Sequence, residues 1–138
     1  MTFQLHKQLE SDCVTIGRFT LSRLLLMNDN QFPWLILVPE VADITEIYQL
    51  TKQQQGVLIE ESSYLAEQLR MIFNADKINI AAIGNLVPQL HIHHVARYRS
   101  DKAWPAPVWG KFSAVAYTGQ ELTETIHKLK DNLILNNL

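Results

Sequence analysis

The chain has 138 residues and an apolar fraction of 47%, which predicts one globular domain, residues 1–138, around one core. A net charge of −2 argues against a broad surface for a nucleic-acid polymer, and no apolar run reaches the roughly 18 residues of a membrane helix. Cys13 is the one cysteine, so an intrachain disulfide is excluded. Without a basic start followed by an apolar stretch, a signal peptide is not expected, and we expect a cytoplasmic protein.

Three strands are predicted in the first part of the chain. Residues 13–19 and 21–27 are rich in Val, Ile, Leu and Thr, which favours strands. Residues 28–33 have the composition of a loop. Residues 34–38 form a continuous apolar run that Pro39 ends, which is typical of a buried strand.

Capping boxes predict where the next helices begin: Asp43 with Glu46, and Thr51 with Gln54. The first predicts a short helical turn through Leu50, and the second a long helix to about Phe73. On that helix, apolar residues recur at helical spacing, which indicates core packing: Leu58, Leu65, Leu69 and Ile72.

The rest of the chain predicts two more strands and a C-terminal helix. Residues 78–83 and 90–97 have strand patterns, with a turn at 84–88 between them. Thr118 with Glu121 caps a helix through about Ile134. Strands, a long helix, two strands and a helix in this order favour an α+β fold with an antiparallel sheet.

Three histidines lie within four positions, at 91, 93 and 94. On a strand with a period of two, Gln89, His91 and His93 point to one face, roughly 6.5 to 7 Å apart. Such a row suits nucleophilic attack, proton transfer, anion contact or metal ligation. His94 points the other way, and we expect a structural role satisfied by a backbone partner. His6 and His127 belong to no motif or cluster of polar residues and are interpreted as surface or packing residues.

This stretch resembles the motif of the histidine triad (HIT) family, His-φ-His-φ-His-φ-φ with φ apolar. His91 falls on the middle histidine and His93 on the last, while Gln89 replaces the first and His94 stands at an apolar position. Leu86 stands where many members carry Ser or Thr. The segments LILVP (35–39), GN (84–85) and WPAPVWG (104–110) also resemble the family, the last a bacterial subgroup whose motif begins with Gln.

The resemblance implies a HIT-like antiparallel sheet of about five strands with a long helix and a C-terminal helix, and a homodimer. It implies that His91 attacks phosphorus, that His93 donates to a non-bridging oxygen, and that a main-chain carbonyl near Gln89 holds the far nitrogen of His91. The Gln89 side chain can only orient or bind. Candidate substrate-binding residues are Asn28 and Asp29 for ribose, Asn79 near the nucleotide, and Gly84 and Asn85 for phosphate oxygens. Asp29 as a turn residue, and Asn79 and Asn85 as partners of turn backbone, remain alternatives.

The function expected is a nucleotide hydrolase or transferase that cleaves a phosphoanhydride or phosphoramidate, such as a dinucleoside polyphosphate, through a nucleotidyl-histidine. We expect no cofactor or resident metal, although a divalent ion could accompany the substrate phosphates. A local basic cluster could assist a small phosphorylated ligand or be a solvated loop: Arg97, Arg99, Lys102 and Lys111. Two other hypotheses stay open, a non-catalytic nucleotide-binding module and a metalloprotein with His91 and His93 as ligands.

Overall fold

The computed structural model describes residues 2–136 and contains one five-stranded sheet with three α-helices. In chain order the elements are α1 Lys7–Asp12, β1 Cys13–Arg18, β2 Ser22–Met27, β3 Trp34–Pro39, a 3₁₀ helix Ile47–Gln49, α2 Lys52–Phe73, β4 Lys77–Ala81, β5 Ile92–Arg97 and α3 Gly119–Asn132. The predicted α+β fold with a long helix and a C-terminal helix is confirmed.

The sheet has the strand order β1-β2-β3-β5-β4, and every neighbouring pair is antiparallel. Strand β5 lies between β3 and β4, where His93 pairs with Ile36 and Ala81. All residues of β3 and β5 are buried. His93 and His94 are therefore carried by an interior strand, where two ladders of hydrogen bonds hold the backbone, and His91 lies directly before the first residue of that strand.

Each face of the sheet has its own apolar core. On the face covered by α2 and α3, Leu35 and Ile92 of the sheet share a core with Leu65 of α2. The opposite face includes Ile36 and Val95 and packs against Leu9 of α1. Since side chains alternate along a strand, His93 lies on the α1 side and His94 on the α2 side.

The boxes formed by Thr51 with Gln54 and by Thr118 with Glu121 are both present, and α2 and α3 begin where predicted. The box predicted for Asp43 is wrong. Asp43 has a φ of 59°, whereas an N-cap residue adopts extended backbone, and Glu46 with Gln49 caps the 3₁₀ helix instead.

The strand predicted over 90–97 begins only at Ile92, so Gln89 does not continue it. The Leu90 N–H donates to the Ile44 carbonyl, 2.9 Å away, instead of joining the sheet. Strand β4 ends at Ala81, two residues before the predicted end. Helix α1 was not predicted from the sequence. In residues 2–136 no helix combines the length and apolar character needed to cross a bilayer.

Candidate functional site

His91 and His93 lie side by side, as the spacing predicts. Their ring centroids are 4.9 Å apart, with an interplanar angle of 71°. Both side chains line a cavity of about 760 Å³ on the α1 side of the sheet. Asn85, Leu86 and Trp109 form further parts of its wall. The geometric premise of the predicted site, two imidazoles facing a shared cavity, is therefore confirmed.

The ring of His91 is fixed by the main chain. Its Nδ1 lies 2.7 Å from the carbonyl oxygen of Gln89, the contact predicted from the family resemblance. A carbonyl only accepts, so Nδ1 carries the proton and Nε2 has the lone pair. Burial lowers the pKa of His91, the Gln89 carbonyl counteracts this, and a charge on His6 lowers it further. At neutral pH the ring is thus uncharged, with the lone pair of Nε2 available.

The ring of His93 is fixed by Trp34, which sequence reasoning missed. The indole Nε1–H donates to His93 Nδ1 over 3.0 Å in a buried position. Because indole nitrogen only donates, His93 Nδ1 is unprotonated and the proton sits on Nε2. Burial, together with the charges of His91 and His94, lowers the pKa of His93 to about 3. His93 therefore presents an N–H donor beside the His91 lone pair.

Trp109 packs edge-on against the same ring, with centroids 5.5 Å apart. Its indole nitrogen is buried and makes no hydrogen bond within residues 2–136. Trp34 and Trp109 also contact each other edge-on at 6.0 Å. The two tryptophans enclose His93, and only Trp34 bonds to it.

His94 has the structural role that was predicted. Its Nδ1 lies 3.1 Å from the Ile92 carbonyl and its Nε2 lies 2.7 Å from the Ser62 hydroxyl on α2. The carbonyl accepts from Nδ1–H, so the hydroxyl donates to Nε2. Burial lowers the pKa of His94 to about 4, against a smaller opposite effect of the Ile92 carbonyl. This neutral histidine ties β5 to α2 and does not reach the cavity.

Gln89 uses its side chain away from the histidine pair. Its Oε1 accepts from the His6 main-chain N–H at 2.9 Å, and its Nε2 donates to the Gln4 carbonyl at 2.8 Å. His6 consequently lines the cavity together with His91 and His93. The interpretation of His6 as a surface or packing residue missed this, because a separation of 83 residues leaves no local signal.

The turn between β4 and β5 borders His91. Gly84 and Asn85 line a second cavity of about 710 Å³, in which His91 is a shared wall. A Cβ on Gly84 would lie 3.3 Å from the Val87 carbonyl oxygen, so glycine permits this tight turn. Leu86 is 95% exposed at the mouth of the first cavity and offers no hydroxyl there.

The other predicted substrate contacts lie apart from these cavities. Asn28 Oδ1 accepts from the Tyr117 N–H at 3.0 Å. Asp29 is buried, and its Oδ1 accepts from the Gln31 N–H at 3.0 Å, as in the turn alternative. Asn79 Oδ1 accepts from Arg97 Nη1 at 2.8 Å. None of the three lines a cavity with His91.

Arg97 fits neither of the alternatives left open for the basic cluster, a contact to a phosphorylated ligand or a place in a solvated loop. Its side chain is 1% exposed and forms two hydrogen bonds to Asp101, at 2.8 and 3.1 Å. A third bond, from Nη2 to the Ala106 carbonyl, is 2.8 Å long. Arg97 therefore anchors the segment that leads to Trp109. Within residues 2–136, no three His, Cys, Asp or Glu side chains are grouped as metal ligands.

Comparisons with known proteins show the family of the chain. The family model described as HIT domain matches residues 8–100. A histidine triad protein from Marinobacter aquaeolei is 50% identical, with a TM-score of 0.94 over 96% of this chain and 97% of the other. One from Bradyrhizobium japonicum is 42% identical, with a TM-score of 0.94 over 97% and 100%. One from Sinorhizobium meliloti is 43% identical, with a TM-score of 0.93 over 96% and 98%.

The comparison with curated proteins found no match. The family model nevertheless covers more than half of the chain, and the three solved structures cover nearly all of it at 42–50% identity. The chain therefore belongs to the HIT family.

Proposed function

We propose that the protein is a nucleotide hydrolase or transferase that cleaves a nucleoside phosphoanhydride or phosphoramidate through a nucleotidyl intermediate on His91. The observation that carries this proposal is the pair of fixed tautomers. The Gln89 carbonyl leaves His91 Nε2 with a lone pair, and Trp34 leaves His93 Nε2 with a proton. A nucleophile and a hydrogen-bond donor thus stand side by side at one cavity.

In the first step, His91 Nε2 attacks phosphorus. A P–N bond forms while the bond to the leaving group breaks, and the leaving group departs with its electron pair. The positive charge that develops on the ring is stabilised by the Nδ1–H bond to the Gln89 carbonyl. His93 Nε2–H donates to a non-bridging oxygen as charge is redistributed.

In the second step, water attacks phosphorus and the P–N bond breaks. The electron pair returns to His91 Nε2, the water loses a proton to solvent, and a nucleoside monophosphate is released. Another acceptor in place of water makes the reaction a transfer. The lowered pKa of His91 favours this step, because the released ring is stable as the neutral imidazole.

The cavity suits a nucleotide in size and lining. Its volume of about 760 Å³ lies within the usual range for small-molecule sites. Leu9 and Met27 offer apolar surface for a base, while Asn85 and the backbone near Gly110 offer donors for phosphate oxygens. We therefore place the nucleoside toward α1 and the phosphate toward the histidines.

The exposed Leu86 favours one class of leaving group. A hydroxyl at this place would help to protonate an amine or alkoxide, and leucine lacks one. A phosphate leaving group departs as a stable anion without that proton. We propose that phosphoanhydrides are cleaved faster than phosphoramidates.

The covalent intermediate is the direct test. The wild-type protein and His91→Asn are incubated with a diadenosine polyphosphate and, separately, with adenosine 5′-phosphoramidate. The mixtures are quenched in alkali, since the adduct is acid-labile, and digested for mass spectrometry. We expect an adenylyl group on the His91 peptide of the wild type only. Measurable turnover with no mass added to this peptide excludes the mechanism.

A non-catalytic nucleotide-binding module is the second candidate. It is supported by Gln89, which cannot titrate, and by Leu86, which cannot assist a leaving group. AMP binding without turnover, unchanged in His91→Asn, favours it over the enzyme.

We also propose a homodimer that uses the β4 edge. Strand β4 is the last strand of the sheet, so among residues 2–136 its outer backbone groups lack a strand partner. Ile80 on this strand is 50% exposed and Ile83 beyond it is 36% exposed. Light scattering should give the dimer mass for the wild type and the monomer mass for Ile80→Lys. A monomeric wild type contradicts the proposal.

A further inference from the structure

His6 is a third imidazole at the cavity, although it is 85 residues away from His91 in the chain. It lines the same cavity as His91 and His93. A charge on His6 lowers the pKa of His91.

One residue, Gln89, holds both His91 and His6. Its main-chain carbonyl is bonded to His91 Nδ1, and its side-chain amide is bonded to the backbone at residues 4 and 6. Gln89 occupies the motif position of the first triad histidine. Its side chain is engaged with the N-terminal segment and brings in a histidine from elsewhere in the chain.

The tautomer of His6 follows from its cap contact. His6 is the N-cap of α1, and its Nδ1 accepts from the Gln8 N–H at 3.0 Å. A backbone N–H only donates, so the proton of the neutral ring is on Nε2. With the Nδ1 edge turned to the helix, the Nε2–H edge is the polar edge left for another partner.

We propose that His6 is a substrate-binding residue of this site, donating its Nε2–H to a phosphate oxygen, and that Gln89 is the positioning residue that holds it there. This inference rests on the proposed nucleotide function. Two donors, on His6 and His93, then accompany the His91 nucleophile. The side chain of Gln89 contributes without touching the substrate.

Two matched variants separate substrate binding from helix capping. His6→Asn keeps an oxygen near the position of Nδ1, where it still caps α1, and removes the Nε2–H donor. His6→Gln keeps an N–H donor near the Nε2 position and weakens the cap. We expect His6→Asn to raise KM and the Kd for AMP about tenfold, as for a lost hydrogen bond to a charged group, with kcat changed less. His6→Gln should bind AMP close to the wild type and melt earlier.

Gln89 is tested by its own pair. Gln89→Leu frees the N-terminal segment but leaves the main-chain carbonyl on His91, so KM should rise as in His6→Asn while kcat stays near the wild type. Gln89→Glu keeps the Oε1 acceptor for the His6 N–H and should restore part of the affinity. His127→Asn is the control for loss of a histidine, because His127 is exposed on α3, where its Nδ1 lies 3.7 Å from the Asp131 carboxylate.

Side-chain ¹⁵N NMR of the histidines, with AMP and with adenosine, separates this inference from the proposed function. A change in the ¹⁵N chemical shifts of His6 and His91 with AMP, and a smaller change at His6 with adenosine, supports both the role of His6 and the proposed function. Movement of His91 alone, with wild-type AMP affinity in His6→Asn, overturns the role of His6 and leaves the proposed function intact. An equal response to adenosine overturns the phosphate contact. If AMP moves neither signal and no nucleotide is turned over, both proposals fall together.

Discussion

Trp34→Phe is the substitution that most directly tests how the site is organised. It removes the indole N–H that bonds to His93 Nδ1 at 3.0 Å and keeps an aromatic ring in the core. Trp34 is 8% exposed, so the lost donor is not replaced by bulk water. The buried Nδ1 of His93 then lacks its partner.

The expected cost in stability has two parts. A buried acceptor without its donor costs about 1–3 kcal/mol. The side chain loses roughly 40 Å³ from Trp to Phe, and at about 24 cal/mol per Å³ of cavity this costs about 1 kcal/mol. The free energy of unfolding should therefore fall by about 2–4 kcal/mol.

The effect on the tautomer and on catalysis follows from the same bond. A hydrogen bond worth about 1.4 kcal/mol suppresses the Nδ1–H form of His93 by roughly tenfold, and this suppression is lost in the variant. The His93 donor is then less well oriented. We expect kcat to fall by about tenfold, less than the ~100-fold loss typical when a donor to the transition state is deleted.

The assay is ¹⁵N NMR of the histidine rings at pH 7, combined with urea unfolding and steady-state kinetics. Trp109→Phe is the matched control for the NMR signal, because Trp109 also packs against His93 and makes no hydrogen bond to it. The His93 Nδ1 signal should move in Trp34→Phe alone. The reasoning is refuted by an unchanged signal in Trp34→Phe, or by the same change in both variants.

Other predictions concern stability. Ser62→Ala removes the hydroxyl that donates to the buried His94 Nε2, and urea unfolding should show a loss of about 1–3 kcal/mol. Arg97→Met leaves the buried Asp101 carboxylate unpaired, and the loss should be about 3–5 kcal/mol, with a smaller loss in Arg97→Lys. In the folded protein His93 has a pKa of about 3 and His94 a pKa of about 4, whereas unfolded histidines take up protons near pH 6.5. The free energy of unfolding should therefore be highest above pH 6.5 and should fall as the pH is lowered, by about 2 kcal/mol per histidine between pH 7 and 5. Urea unfolding that gives the same free energy at pH 7 and pH 5 contradicts the buried neutral rings.

Much of the fold was predictable because its signals are local. Thr51 and Thr118 are cap residues whose partners lie three positions away, so the boxes predict the starts of α2 and α3. The apolar run of β3 and the alternation around His93 are also read from neighbours in the chain. Helix α1 escaped prediction because six residues capped by a histidine give neither a strong period nor a usual cap.

The site was only partly predictable because some residues that hold its histidines come from distant segments of the chain. The bond between His91 and the Gln89 carbonyl spans two residues and follows from the motif. The Trp34 bond to His93 spans 59 residues, and the Gln89 bond to His6 spans 83. Those contacts depend on the register of β3 with β5 and on the path of the N-terminal segment, which propensity and periodicity do not specify. Arg97 is a different case, because its partner Asp101 lies only four residues away, and the sequence did not show that the pair is buried.

Because Arg97 is anchored inside the protein, one side of the cavity is held more firmly than the other. On one side, the segment before Trp109 is bonded through a buried guanidinium to an interior strand, so moving it means breaking charged bonds inside the protein. On the other side, the N-terminal segment is held by two uncharged hydrogen bonds to the side-chain amide of Gln89, near the surface. We expect ligands to enter and leave past the N-terminal side, while the tryptophan side holds the two imidazole rings in place.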